Sequence, residues 1–226
     1  MHIGAIIILF FIFIPPISIG SKSILIISAC LLLMLIYFLF ILLYHIFYRK
    51  KPCYDIIILM DNIRIGSGYD IHKFLEVSIF ENAAKKLYLG GVLIEGHIGV
   101  AAHSDGDVVL HSLTDALLGA LSLPDIGVLY PDNLKSTKGI NSIEIIKYAY
   151  GLVKDKGYSL VNADITIITQ TPKISAYKER MIVSISSALG VDKTRLNIKG
   201  KTKEGLDSVG KQKAIECFSV CLLSLS

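Results

Sequence analysis

The chain lacks a strong charge of either sign, a cysteine pair at metal-binding spacing and any internal repeat, and each absence removes a class of function. A net charge of +4 over 226 residues is too small to argue for a phosphate backbone as partner, so no nucleic acid is expected. Cys30, Cys53, Cys217 and Cys221 form no CxxC or other zinc spacing. Free thiols in a reducing compartment are expected, not a disulfide framework. Beyond residue 63 there is no low-complexity stretch, which leaves one domain long enough to bury a substantial core. What the chain has in excess is apolar surface. Its residues are 53% hydrophobic and its mean hydropathy is +0.60, above the range of an ordinary soluble domain.

That excess sits at the N-terminus. Ile3 to Ile19 is apolar apart from a break at Pro15 and Pro16, and Ile24 to Phe47 is a second, longer run. A bilayer span needs about 20 such residues. Arg49, Lys50 and Lys51 follow directly, which would leave the downstream domain on the cytoplasmic side of an anchor. A cleaved targeting leader is the alternative, although no charge precedes Ile3, and a start at Met60 is a third. The expected organisation is therefore a hydrophobic leader over residues 1–62, outside the fold, and a globular domain over residues 63–226. Membrane contact is expected only through the leader.

From Asn62 the pattern is that of a globular domain. IRIGSGYDIHKF reads as a strand running into a glycine-relieved turn, and LYLGGVLI as a short strand or hairpin arm. Leu75 to Lys86 reads as a loop. In AAHSDGDVVLHSLTDALLGA, Ser104 suits an N-cap with Asp107 three residues on, so a helix is expected from about Asp105. Asp107, His111 and Asp115 then share a face turned to a site, while Leu110, Leu113, Leu117, Leu118 and Leu121 form the apolar stripe. Leu123 to Asn133 reads as a loop, Asn141 to Lys156 as a helix ended by Gly157, and VNADITIITQTPKI as a strand stopped at Pro172. A helix over Ile174 to Leu189 closed by Gly190, a strand from Arg195 to Lys201 and a terminal strand in AIECFSVCLLSLS complete the set. Strands and helices that do not strictly alternate imply an α+β fold with helices on one face of a sheet.

The chemistry is concentrated early. Asp70 and His72 are two apart, so on a strand they face the same way. With His111 they make a His₂Asp set, three protein ligands and an open fourth position, as in catalytic zinc.

RIGSGYDIHKF, LGGVLIEGHIGVAAHSDGDVVLHSLTDALLGALSLPDIGVLYPD, NADITIITQTPKI and NIKGKTKEGL, in this order, resemble the 2-C-methyl-D-erythritol 2,4-cyclodiphosphate synthase family of non-mevalonate isoprenoid synthesis. The resemblance covers about Ile63 to Leu223. It implies a phosphorus–oxygen lyase, a four-stranded mixed sheet with helices on one face, and a homotrimer with active sites at subunit interfaces. The substrate would be 4-diphosphocytidyl-2-C-methyl-D-erythritol 2-phosphate, whose 2-phosphate attacks its own β-phosphorus, expels CMP and closes a cyclic diphosphate.

Carried over by position, the resemblance makes Asp70, His72 and His111 the zinc ligands. Glu204 becomes the ligand of a Mg²⁺ or Mn²⁺ between the substrate phosphates. His103, which stabilises the transition state, and Ser104 match the pair at the phosphorylated erythritol end. Asp125, Gly127, Tyr130 and Asp132 match the erythritol loop. Thr169, Thr171, Pro172, Lys173 and Ile174 match the cytosine cradle, and Lys201, Thr202, Lys203 and Glu204 the strand end at the phosphates, with Thr202 catalytic. The chain departs from the family where it reads GKQKA, Gly210 to Ala214. There Lys211 keeps a positive charge, but Gln212 and Lys213 speak against an isoprenoid-phosphate site. A metal-dependent phosphohydrolase and a membrane-tethered binding protein are the competing readings. The leader on such an enzyme implies a plastid of the relict, apicoplast type, with a membrane anchor as the alternative.

Overall fold

The computed structural model describes residues 33–44, 62–76, 85–131, 133 and 137–226. The chain divides into two units, Met1–Ile58 and Leu59–Ser226. In the first, residues 33–44 are helical with exposed apolar side chains. Among the described residues no helix is long and apolar enough to cross a membrane; most of the two apolar runs, with Cys30 and Cys53, lies outside them.

The second unit is built on a mixed four-stranded sheet in the order β1-β6-β4-β5. Its elements are β1 (Ile63–Lys73), the hairpin β2 (Lys86–Leu89) and β3 (Val92–Ile98), and α1 (Val108–Gly119). There follow α2 (Ile126–Leu129), α3 (Ser142–Asp155), β4 (Tyr158–Ile168), α4 (Lys178–Leu189), β5 (Leu196–Lys201), α5 (Asp207–Gly210) and β6 (Ala214–Leu225). Strands β1 and β4 run antiparallel to β6, while β5 runs parallel to β4.

Alternation decides which face is covered. In β4, Ala163, Ile165 and Ile167 are buried, and in β6 Cys217, Ser219, Cys221 and Leu223; these side chains meet the helices. The other face is left apolar and open: Ile65 is 71% exposed, and Tyr69 and Phe218, paired across β1 and β6, are 51% and 43% exposed. Helix α1 is buried on almost every side because it packs against β1, β6 and α3. Each fully buried leucine there contributes roughly 1.5–3 kcal/mol. The Asn141 side chain caps α3 by accepting from the Ile143 N–H, and Gly190, at φ 68°, closes α4.

Four expectations need correction. The N-cap of α1 is Asp107, not Ser104, and the helix starts at Val108. The segment expected to be a loop at 123–133 contains α2, capped by Asp125. The helix expected from Ile174 begins as a 3-10 turn, Ile174–Ala176, before α4. Most informative is β1, where Gly66 and Gly68 relieve no turn and sit inside an unbroken strand. A Cβ on Gly66 would lie 1.9 Å from the Ala116 carbonyl oxygen, and one on Gly68 1.9 Å from that of Ser112. Their missing side chains let the α1 backbone rest on the strand.

Gly68→Ala should therefore destabilise the unit by about 1–3 kcal/mol or more, because neither backbone can yield without unpacking α1. Gly151→Ala, in α3 with nothing near its Cβ position, should instead stabilise it by about 0.5–1 kcal/mol. Thermal unfolding of the two variants checks this; equal melting points would remove the steric reading of β1.

Candidate metal and substrate site

On β1, residues 66, 68, 70 and 72 share the face that meets α1. The glycines bring the helix close, so Asp70 and His72, further along the same face, arrive beside His111 on the first turns of α1. The resulting contacts are short. Asp70 Oδ2 lies 3.0 Å from His72 Nε2 and 2.9 Å from His111 Nδ1, and the two ring nitrogens are 3.2 Å apart. One donor atom from each residue lies within 4.8 Å of the others, and this is the one such group found among the described residues.

The triangle fits a small cation. Tetrahedral ligands at about 2.0–2.1 Å from zinc stand roughly 3.3–3.4 Å apart, so an outward shift of a few tenths of an ångström would seat one. The electrostatics agree. Burial pushes the Asp70 carboxyl upward, but hydrogen bonds and charge from His111 and His72 outweigh it and hold the group far below the usual carboxylate range. Burial opposes protonation of His111, yet Asp70, Asp107 and Asp105 raise its pKa overall. The Asp70 carboxylate held this way favours a positive charge beside it.

Asp107 and Asp115 do not look into this site. Asp107 is fully buried; its carboxylate accepts from the Val109 and Leu110 N–H groups and also from Gly90 and Gly91 at the β2–β3 turn, at 2.8 and 2.6 Å. It ties the hairpin to the start of α1. Asp115 accepts from the Ile126 N–H at 2.9 Å and so anchors α2.

The His₂Asp group opens into a cavity of about 280 Å³ lined also by His103, Ser104, Gly127, Tyr130 and Thr137. The Ser104 hydroxyl accepts from the Gly106 N–H at 3.1 Å and lies 3.2 Å from His111 Nε2. Asp125 spends its carboxylate on the Val128 N–H in capping α2, and Asp132 lies outside the described residues. A second cavity, about 820 Å³, is lined by Thr169, Pro172, Lys173, Ile174, Lys201 and Thr202. It forms where the parallel strands β4 and β5 end side by side, with the Thr169 N–H donating to the Lys201 carbonyl at 2.9 Å. The Thr202 hydroxyl donates to Glu204, and Lys203 pairs with Asp207 and Glu216 at 3.2 Å each. Thr171 lines a third cavity with Lys213 and Gln212, and Lys211 is exposed outside all three.

Most of the residues expected to serve one site thus fall, within one chain, into two separate cavities, while Thr171 lines the third and Asp125, Lys203, Glu204 and Lys211 line none of them. Glu204 stands outside the Asp70–His72–His111 group. Two residues that sequence reasoning passed over adjoin His111: Ser142, with Oγ 2.9 Å from Nε2, and Asp105, which accepts from the Ser142 hydroxyl. No periodicity links positions 105 and 142, so only the fold reveals them.

The family model described as the YgbB family matches residues 63–224. The 2-C-methyl-D-erythritol 2,4-cyclodiphosphate synthase of Clostridium acetobutylicum is 45% identical over 161 residues, 71% of this chain and 99% of that protein. The apicoplast enzyme of Plasmodium falciparum is 43% identical over 175 residues, 72% of each chain. A solved CDP complex of Plasmodium falciparum IspF superposes with a TM-score of 0.63 at 43% identity, covering 73% of this chain and 97% of that one. The chain belongs to the YgbB family. Its activity is that of the 2-C-methyl-D-erythritol 2,4-cyclodiphosphate synthases, lyases that close a cyclic diphosphate in isoprenoid biosynthesis.

Proposed function

We propose that each active site of this enzyme joins the His₂Asp wall of one subunit to the Thr169–Thr202 wall of the next, in a homotrimer. The observation that carries this is the separation of the two cavities within one chain. The exposed apolar face around Ile65, Tyr69 and Phe218 supplies a surface that self-association would cover. Domain limits of 1–62 and 63–226 go with this reading.

In this arrangement Asp70, His72 and His111 hold a divalent ion of the zinc type, and Glu204 holds Mg²⁺ or Mn²⁺ at the substrate phosphates. The ions supply charge neutralisation for two anions that must meet. His103 and Ser104 position the 2-phosphate of the substrate, and Gly127, Tyr130, Asp125 and Asp132 its erythritol end. Thr169, Thr171, Pro172, Lys173 and Ile174 hold the cytosine; the CDP bound in the Plasmodium falciparum structure supports a ligand of that type. Lys201, Thr202 and Lys203 face the diphosphate, with Lys211 a further cation near the trimer axis. An oxygen of the 2-phosphate forms a bond to the β-phosphorus, the bond from that phosphorus to CMP breaks, and CMP leaves with the electron pair. No protein nucleophile is needed, so orientation and charge neutralisation provide the catalysis.

Asp70→Asn and Glu204→Gln should each abolish CMP release, whereas subunits of the two variants mixed in equal amounts should recover about a quarter of wild-type activity, the share of head-to-tail interfaces that pair two intact walls. Mixtures that stay inactive would place both walls in one subunit.

Location follows from the leader and from the apicoplast enzyme of Plasmodium falciparum. The mature protein is assigned to a plastid of the relict type, reached through residues 1–62. N-terminal sequencing of the native protein should find a chain starting between Arg49 and Asn62; an intact Met1 in a carbonate-resistant membrane fraction would make the second apolar run an anchor.

A further inference from the structure

His111 is the one proposed metal ligand that comes from a helix, and its far nitrogen is not left to solvent. Nε2 lies 2.9 Å from Ser142 Oγ, at the first residue of α3. The Ser142 side chain is fully buried, and its hydroxyl donates to Asp105 Oδ1. The Ser142 backbone N–H donates to Asp105 Oδ2 at 2.9 Å, and the Asp107 N–H reaches Asp105 Oδ1 at 3.2 Å. Three donors therefore converge on one carboxylate.

The order of donors follows from this arrangement. Two backbone N–H groups, which can only donate, meet the Asp105 oxygens alongside the Ser142 hydroxyl, so Asp105 is the acceptor and the Ser142 proton is committed to it. The Ser142 oxygen then has lone pairs alone to offer His111, and Nε2 must carry the hydrogen that meets them. A neutral imidazole protonated at Nε2 has its lone pair on Nδ1, the atom that faces Asp70 and His72. Ser104 Oγ, at 3.2 Å from the same nitrogen, is the more distant hydroxyl.

We infer that Ser142 and Asp105 form a relay that locks His111 in the tautomer and ring orientation required for metal binding through Nδ1, making them positioning residues of the metal centre. This rests on the metal role of His111 proposed above. Outer partners of a ligating histidine commonly change metal affinity by 10–100-fold when removed. Asn141 caps α3, so Ser142, one residue on, brings its hydroxyl to His111 from the first turn of the helix.

The test is zinc affinity of the full-length chain, measured by competition with a chelating dye. Ser142→Ala should weaken zinc binding about 10–100-fold. Asp105→Asn preserves the volume, but its amide can donate to Ser142 Oγ and reverse the relay, so a loss of the same order is expected. Ser104→Ala should shift the affinity by less than about threefold. Wild-type affinity in both Ser142→Ala and Asp105→Asn would overturn the inference; a wild-type chain that binds no zinc would instead overturn the metal site itself. Should either variant fail to fold, nitrogen-15 NMR of the zinc-loaded wild type decides. His111 should show metal on Nδ1 and hydrogen on Nε2, and the reverse pattern would sink the relay.

Discussion

Backbone contact between β1 and α1 is the constraint on which the site depends. Gly66 and Gly68 have no Cβ, and the carbonyls of Ala116 and Ser112 occupy the space where one would stand. A helix lying this close to a strand brings a side chain from its first turns within hydrogen-bond distance of side chains further along the strand. Asp70, His72 and His111 meet for that reason. The interaction is also costly to relax, since two backbones are involved and neither has a rotamer to change. The same packing buries Ser112, whose hydroxyl bonds that of Ser219 on β6 at 2.7 Å. Buried Cys217 and Cys221 belong to this layer as well; burial pushes both thiols up to about 12, which keeps them protonated and unreactive.

Around that contact, acidic residues with one letter in the sequence have different tasks. Asp70 joins the group that could hold a metal, Asp107 joins the β2–β3 turn to the start of α1, Asp115 fixes α2, and Asp105 receives Ser142. Only the first offers a ligand atom to that group. The others hold elements that would otherwise be free to shift by the ångström that separates a usable ligand geometry from a useless one.

Much of this was legible in the sequence, and the reason is local periodicity. The helix over 141–156 and the Gly190 stop depend on neighbouring residues and match the structure within one residue, whereas the alternation reveals β4 but not its bounds, since the strand starts three residues before Val161 and ends at Ile168, short of Pro172. The DxH spacing of Asp70 and His72 with a helical His111 pointed to one metal set, which the fold brings together. What was not legible depends on contacts distant in sequence. The glycines of β1 looked like a turn because their partner, α1, begins about forty residues later. Asp107 looked like part of a polar helical face because the hairpin it holds is seventeen residues upstream. Ser142 lies 31 residues from His111, and nothing in the pattern of the helix around it marks that contact. The division of the expected site into two cavities likewise comes from the packing of the sheet ends, which no spacing records.

The close approach of β1 and α1 brings together a His₂Asp group able to hold a metal. X-ray absorption at the zinc edge of the zinc-loaded protein tests it most directly. The expected spectrum has nitrogen and oxygen scatterers at about 2.0–2.2 Å with the outer-shell signal of two imidazoles, reduced to one in His72→Ala. A sulfur scatterer at about 2.3 Å, or a shell of oxygens without imidazole, would contradict it.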